Sequence, residues 1–209
     1  MDIRHYTLSL EVDPAQQTIN GFTEIDVNLL QPTNSLLFDL WHGFTISTVL
    51  VNGKLQTFSH TDDDLIKITL PQQLAAGKVR VKISYAGTPG VAARPPWEGG
   101  FQWSTDSKGN PWIAVSNQGE GGKTLFPCKD HPSDEPNEGA DMMITVPKGL
   151  VVTGPGLLQK VTTKKSKSTY HWKTNYTISN YCILFNVGNY KVAKRMYTTI
   201  NGNKVPMEY

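Results

Sequence analysis

Apolar residues in this chain recur at every second position, and nowhere do they hold a 3.6-residue period over ten residues. A period of two belongs to an extended strand with one buried face, so the core of such a chain must lie between sheets. Residues 3–12 (I-R-H-Y-T-L-S-L-E-V) place Tyr6, Leu8, Leu10 and Val12 on one face. Residues 19–30 repeat the pattern with Phe22, Ile25, Val27 and Leu29, and the three-residue step from Phe22 to Ile25 predicts a β-bulge there. Further strands are expected at 36–40, 46–51, 65–70, 79–85, 112–116, 140–146, 151–152, 157–162, 168–175 and 182–192. Asn52-Gly53 is a two-residue hairpin signal, and Pro71, Gly77, Pro147-Lys148-Gly149, Gly154-Pro155-Gly156 and Gly188-Asn189 mark the turns. The expected fold is all-β, a large antiparallel sandwich or saddle of several sheets. The 209 residues form one domain, 1–209, with no internal repeat and no linker to divide it.

Charge narrows the function classes. Lys and Arg number 20 against 18 Asp and Glu, a net charge of +2 that does not supply the broad basic face of a nucleic-acid binder. The local run Lys160, Lys164, Lys165 and Lys167 reads as a solvated hairpin tip. No run of 18 apolar residues predicts a membrane span, and no signal-peptide core opens the chain. The expected compartment is the cytoplasm, or the exterior if a leader has been removed. Two cysteines, Cys128 and Cys182, are too few for a disulfide scaffold and, beside Phe126 and Tyr181, read as buried free thiols. The last residues, 196–209, hold a second Asn-Gly turn and then stop in mid-pattern, as expected of a fragment of a longer protein.

One stretch departs from the strand-and-turn pattern. Residues 115–136 hold three glycines in four residues (Gly119, Gly121, Gly122), three prolines and Cys128 among charged side chains. A long, stiffened polar loop costs conformational entropy and is usually functional or a domain contact. Around it, however, no catalytic constellation assembles. The five histidines are scattered singly, there is no H-E-x-x-H and no Cys-x-x-Cys, and Gly119 to Lys123 lacks the spacing of a phosphate loop. His131 beside Asp130, Asp134 and Glu135 is the one conceivable metal cluster, though oxygen-rich loops more often cap turns. No residue is assigned a catalytic or metal-binding role.

The segment S-N-Q-G-E-G-G-K, F-P-C-K-D-H-P, M-I-T-V-P-K-G-L resembles the N-terminal-domain signature of peptidase family M1, the gluzincin aminopeptidases that include aminopeptidase N and leukotriene hydrolase. The resemblance extends to Tyr6, Leu8, Leu10 and Asp13, to Gly21 and Ile25, and to S-N-Y-C-I-L-F-N-V-G-N-Y, so it covers essentially the whole chain. It implies a saddle of β-sheets packed on a zinc catalytic domain of the same polypeptide, and a parent that removes N-terminal residues from peptides. It further implies that one Gln or Glu of loop 116–123 binds the substrate α-amino group. Counted back from F-P-C, that position is Gln118; Glu120 is the rival if the alignment slips by two, with Gly119 between them. Zinc, its ligands and its general base would all lie outside this chain, which alone should be inactive. Cys128 is expected to be buried packing and Asp130 a turn-capping carboxylate. An excised domain would also expose an apolar patch near 115–136 and self-associate. The rivals are a free-standing adaptor that binds peptide and a β-sandwich that binds carbohydrate through Trp97, Trp103 and Trp112.

Overall fold

The computed structural model describes residues 1–208. Seventeen strands follow one another: β1 (Asp2–Asp13), β2 (Thr18–Leu29), β3 (Thr33–Asp39), β4 (Phe44–Val51), β5 (Lys54–Leu55), β6 (Thr57–His60), β7 (Leu65–Leu74), β8 (Gly77–Gly87), β9 (Gly100–Thr105), β10 (Pro111–Ser116), β11 (Ala140–Pro147), β12 (Val151–Thr153), β13 (Leu157–Lys164), β14 (Lys167–Thr174), β15 (Asn186–Gly188), β16 (Lys194–Thr198) and β17 (Lys204–Glu208). An eight-stranded sheet runs β13-β14-β11-β1-β2-β8-β4-β5, beside a four-stranded sheet (β12-β15-β10-β9), a three-stranded sheet (β3-β7-β6) and the hairpin β16-β17. This is the multi-sheet all-β architecture expected of the sequence, with one parallel ladder, β1 on β11, among antiparallel ones.

Period two decides which residues enter the core. On β8, Val79, Val81, Ile83 and Tyr85 are buried, and on β1 so are Tyr6, Leu8, Leu10 and Val12. They join Leu36 and Phe38 of β3, Leu40 just beyond it, Ile66 and Ile68 of β7, and Phe101, Ile113 and Val187 of the four-stranded sheet in one core cluster.

The expected bulge lies elsewhere. β2 pairs with β8 without a shift, and the irregularity falls on β1 between Ile3 and His5. One extra residue there lets Ile3 and Tyr6, three apart, share the buried face. On β2 the inward position is filled by Thr23, buried at 0 % exposure, not by Phe22, which lies outward beneath the Lys82 ammonium. The alternation is intact; one of its members is polar.

Two strand boundaries also differ. β7 continues through Pro71 to Leu74: the ladder to β6 ends at Thr69 and the ladder to β3 is irregular between Thr69 and Leu74, where it resumes opposite Thr33, so no paired residue needs the N–H that Pro71 lacks. Residues 182–192 contain only the short β15, since a 3-10 turn at Asn180–Cys182 precedes it.

Candidate functional site

β10 delivers the chain into the loop, and the F-P-C segment fastens that loop to the sheets. Leu125, Phe126 and Cys128 are each buried at 0 % exposure. Cys128 pairs with Asp39 at the end of β3, where the Asp39 N–H donates to the Cys128 carbonyl at 2.7 Å and the Cys128 N–H returns the bond at 3.0 Å. The Lys129 N–H donates to the Tyr6 hydroxyl at 3.2 Å, and the Tyr85 hydroxyl donates to the Leu125 carbonyl at 3.0 Å. Burial pushes the Cys128 thiol well up, with the Asp130 and Asp39 charges adding to it, so the thiol stays protonated.

Asp130 caps the turn, as its sequence position implied. Its carboxylate accepts from the Gly121 N–H (3.0 and 3.1 Å) and the Gly122 N–H (3.1 Å). The Asn180 amide donates to the same carboxylate at 3.3 Å. Burial raises the Asp130 carboxyl above its ordinary value, although the two glycine amides pull against that. Glycine is required at 121 because φ is +114° and an added Cβ would lie 2.7 Å from Asn117 Oδ1. At Gly122 a Cβ would meet the Cys128 sulfur at 3.1 Å.

The tip of the loop is what these anchors hold out. Gln118 and Glu120 are both exposed and pair as an isolated antiparallel bridge across Gly119, whose φ is +78°. The structure thus brings the three sequence candidates into one turn. Asn117, just before them, is partly buried, and its Oδ1 has no hydrogen-bond partner among the described residues.

Lys123, the basic residue of the motif, turns away from the tip. Its ammonium lies 3.0 Å from Asp64 Oδ2, while Asp64 Oδ1 accepts from the His42 N–H at 2.8 Å and lies 2.8 Å from His42 Nδ1. Burial acts to raise the Asp64 carboxyl, but the His42 and Lys123 bonds outweigh it and hold the group below its ordinary value. Asp39, His42, Asp64 and Asn180 escaped the sequence reading because they come from four separate turns or strand ends. Asn180 alone had a signal, its place in the S-N-Y-C match.

The other sequence candidates disperse. His131 Nδ1 is 2.8 Å from Ser133 Oγ, Asp134 pairs with Lys129 at 3.4 Å, and Glu135 accepts from Ser179 at 2.5 Å. Among the described residues, no group of three His, Cys, Asp or Glu side chains fits a metal ion. Trp103 pairs with the buried Ile113 and stacks on Phe101, whereas Trp112 pairs with Ser104 and donates to the Tyr190 hydroxyl. The two tryptophans therefore face opposite sides of their sheet and make no common sugar platform. Cys182 is exposed, contrary to expectation, because the 3-10 turn buries Asn180 instead. Nor is there an apolar patch at 115–136, where the apolar side chains are spent on the core. Exposed Leu157, Val161, Val192 and Pro206 border a groove of about 840 Å³ between the β13–β14 and β16–β17 hairpins. No helix among the described residues is long and apolar enough to cross a membrane.

Residues 3–182 match the family model described as the peptidase M1 N-terminal domain. The chain belongs to that family. Among curated relatives of this M1 N-terminal domain, human endoplasmic reticulum aminopeptidase 1 is 24 % identical over 217 residues, covering 96 % of the chain. The rat protein of the same name is 25 % identical over 218 residues. The chain spans 22 % of the length of each of these relatives. Among solved structures, an M1 zinc metallopeptidase from Deinococcus radiodurans superposes with a TM-score of 0.82 at 24 % identity, covering 99 % of this chain and 46 % of that one. A mutant of that metallopeptidase bound to a Tyr-Ser-Ala substrate matches equally well, at 25 % identity.

Proposed function

We propose that this M1 N-terminal domain is the substrate-gripping part of a zinc-dependent aminopeptidase, and that Gln118 binds the free α-amino group of a peptide. The observation that carries the reading is the turn itself: the motif position for the amine ligand stands exposed at the tip of a loop whose base is fixed in the core. The Gln118 amide oxygen accepts from an ammonium, and the neighbouring Glu120 carboxylate adds negative charge at the same tip. Zinc and the general base belong to a catalytic domain in the remainder of the polypeptide, which is the domain's principal partner. Alone, the chain is inactive.

The test compares zinc content and aminoacyl-amide turnover for 1–209 and for the longer protein carrying it. A hydrogen bond to a charged group contributes about 1.5–3 kcal/mol, so Gln118→Ala in the longer protein should lower kcat/KM by roughly 10- to 150-fold with zinc content unchanged. Stoichiometric zinc or turnover in 1–209 alone would overturn the reading. If the longer protein neither binds zinc nor cleaves, the domain acts as a peptide-binding adaptor instead.

A further inference from the structure

We propose that Asp130, oriented by the buried Asn180, is the positioning residue for the Gln118–Glu120 turn, an inference that rests on the amine-recognition reading above. The turn cannot fix itself. Gly119 and Gly121 both adopt positive φ, and glycines give up the most conformational freedom on being ordered. Exposed at its tip, the turn gains nothing from packing. What defines it is backbone bonding at its C-terminal side, and both N–H groups there, of Gly121 and Gly122, go to one carboxylate.

That carboxylate is itself held from behind. The Asp130 N–H donates to Asp39 Oδ2 at 2.9 Å, which ties it to the end of β3. Asn180, at 0 % exposure, donates through one amide nitrogen to the Lys129 carbonyl at 2.7 Å and to Asp130 Oδ1 at 3.3 Å. Its own Oδ1 accepts from the Tyr181 N–H at 2.6 Å, which fixes which end of the amide faces Asp130. A chain of directed bonds thus runs from the core through Asn180 and Asp130 to the backbone next to Glu120. On the other side, Asn117 Oδ1 fits against Gly121, where an added Cβ would lie 2.7 Å away. The turn is clamped on its C-terminal side, and that clamp sets where Gln118 stands.

Asp130→Asn is the near-isosteric test. An amide oxygen in place of Oδ1 can still accept from Gly122, Asn180 and Gly121, but the amide nitrogen then replaces Oδ2, 3.1 Å from the Gly121 nitrogen, so the forked Gly121 bond loses one acceptor and meets a donor instead. In 1–209, amide hydrogen exchange at Gly121 and Gly122 should quicken at least about tenfold, with the core amides of β1 and β8 unchanged. In the longer enzyme, KM for an aminoacyl-amide should rise about tenfold while kcat and zinc content hold, and the same substitution added to Gln118→Ala should raise KM little further. Unchanged protection of Gly121 and Gly122 would overturn the proposal, as would a KM effect of equal size with and without Gln118. Faster exchange at both glycines together with a Gln118→Ala single variant of unchanged KM would sink the amine reading and leave the positioning of the turn standing. If Asp130→Asn melts the whole domain, Asn180→Asp serves in its place: a carboxylate 3.3 Å from Asp130 should displace the clamp and quicken exchange at the same two glycines.

Discussion

Tyr85→Phe tests how the loop is joined to the sheet. The Tyr85 hydroxyl is buried, 3.0 Å from the Leu125 carbonyl and 3.3 Å from Thr23 Oγ1. A carbonyl has no proton to give, so the phenol must donate to Leu125 and Thr23 must donate to the phenol. Removing that one oxygen orphans two buried groups at once, the Leu125 carbonyl and the Thr23 hydroxyl. Each costs about 1–3 kcal/mol, so the single variant should lose roughly 2–6 kcal/mol, measured as a lower urea midpoint with an unchanged slope. Thr23→Val alone removes only a donor from a phenol that keeps its main partner, and should cost less than about 1 kcal/mol. The double variant orphans only Leu125, so it should be more stable than Tyr85→Phe by about 1 kcal/mol or more, although it carries one more substitution. Urea unfolding of the three variants decides the matter. Additive losses, with the double variant the least stable, would refute the proton assignment and the coupling built on it.

Gly21→Ala should destabilise by about 1–3 kcal/mol or more, because the new Cβ would lie 2.0 Å from the Ser9 carbonyl on the neighbouring strand; an unchanged thermal midpoint would contradict it. On the outer face of the large sheet, Asp141 lies 2.5 Å from His171 Nε2, 2.9 Å from Lys173 Nζ and 3.2 Å from His5 Nε2. Burial opposes ionisation there, but Lys173 and His171 outweigh it and hold the carboxyl below its ordinary 3.8. The stability it adds is therefore present above that value and is lost as pH falls through the depressed one. Melting curves taken between about pH 6 and pH 2 should fall less steeply for Asp141→Asn than for the parent chain, and parallel curves would exclude the effect. A thiol reagent should label Cys182 in the native chain and reach Cys128 only on unfolding; labelling that survives Cys182→Ser in the native chain would count against this.

The strands were legible because burial imposes a period, and period two is written directly into residues such as Tyr6, Leu8 and Leu10. Thr23 was not, since a threonine on the inward face looks like a break until its hydroxyl partner 62 residues on is known. The same limit applied at the loop. The F-P-C motif and the glycines marked it, and counting back singled out Gln118, which the structure places at its tip. Its anchors Asp39 and Asn180 lie on other segments, and nothing local in their sequence declares which carboxylate or carbonyl they will meet. Cys182 failed for a related reason: large flanking side chains such as Tyr181 suggest burial, but a single 3-10 turn decides which of three consecutive side chains turns inward.

The parallel ladder between β1 and β11 sets an order on how the molecule is made. As the chain leaves the ribosome, β1 can zip at once onto β2, its hairpin partner. Its other edge waits for Ala140 to meet Tyr6. At about 5–20 residues per second that interval is on the order of ten seconds, during which a row of unpaired backbone groups faces solvent or a chaperone. The segment that closes the gap is reached only through the loop carrying Gln118. Asn180, which holds the Asp130 of that loop, emerges later still, so the turn at Gln118 is fixed only after β11 is available to seal this edge.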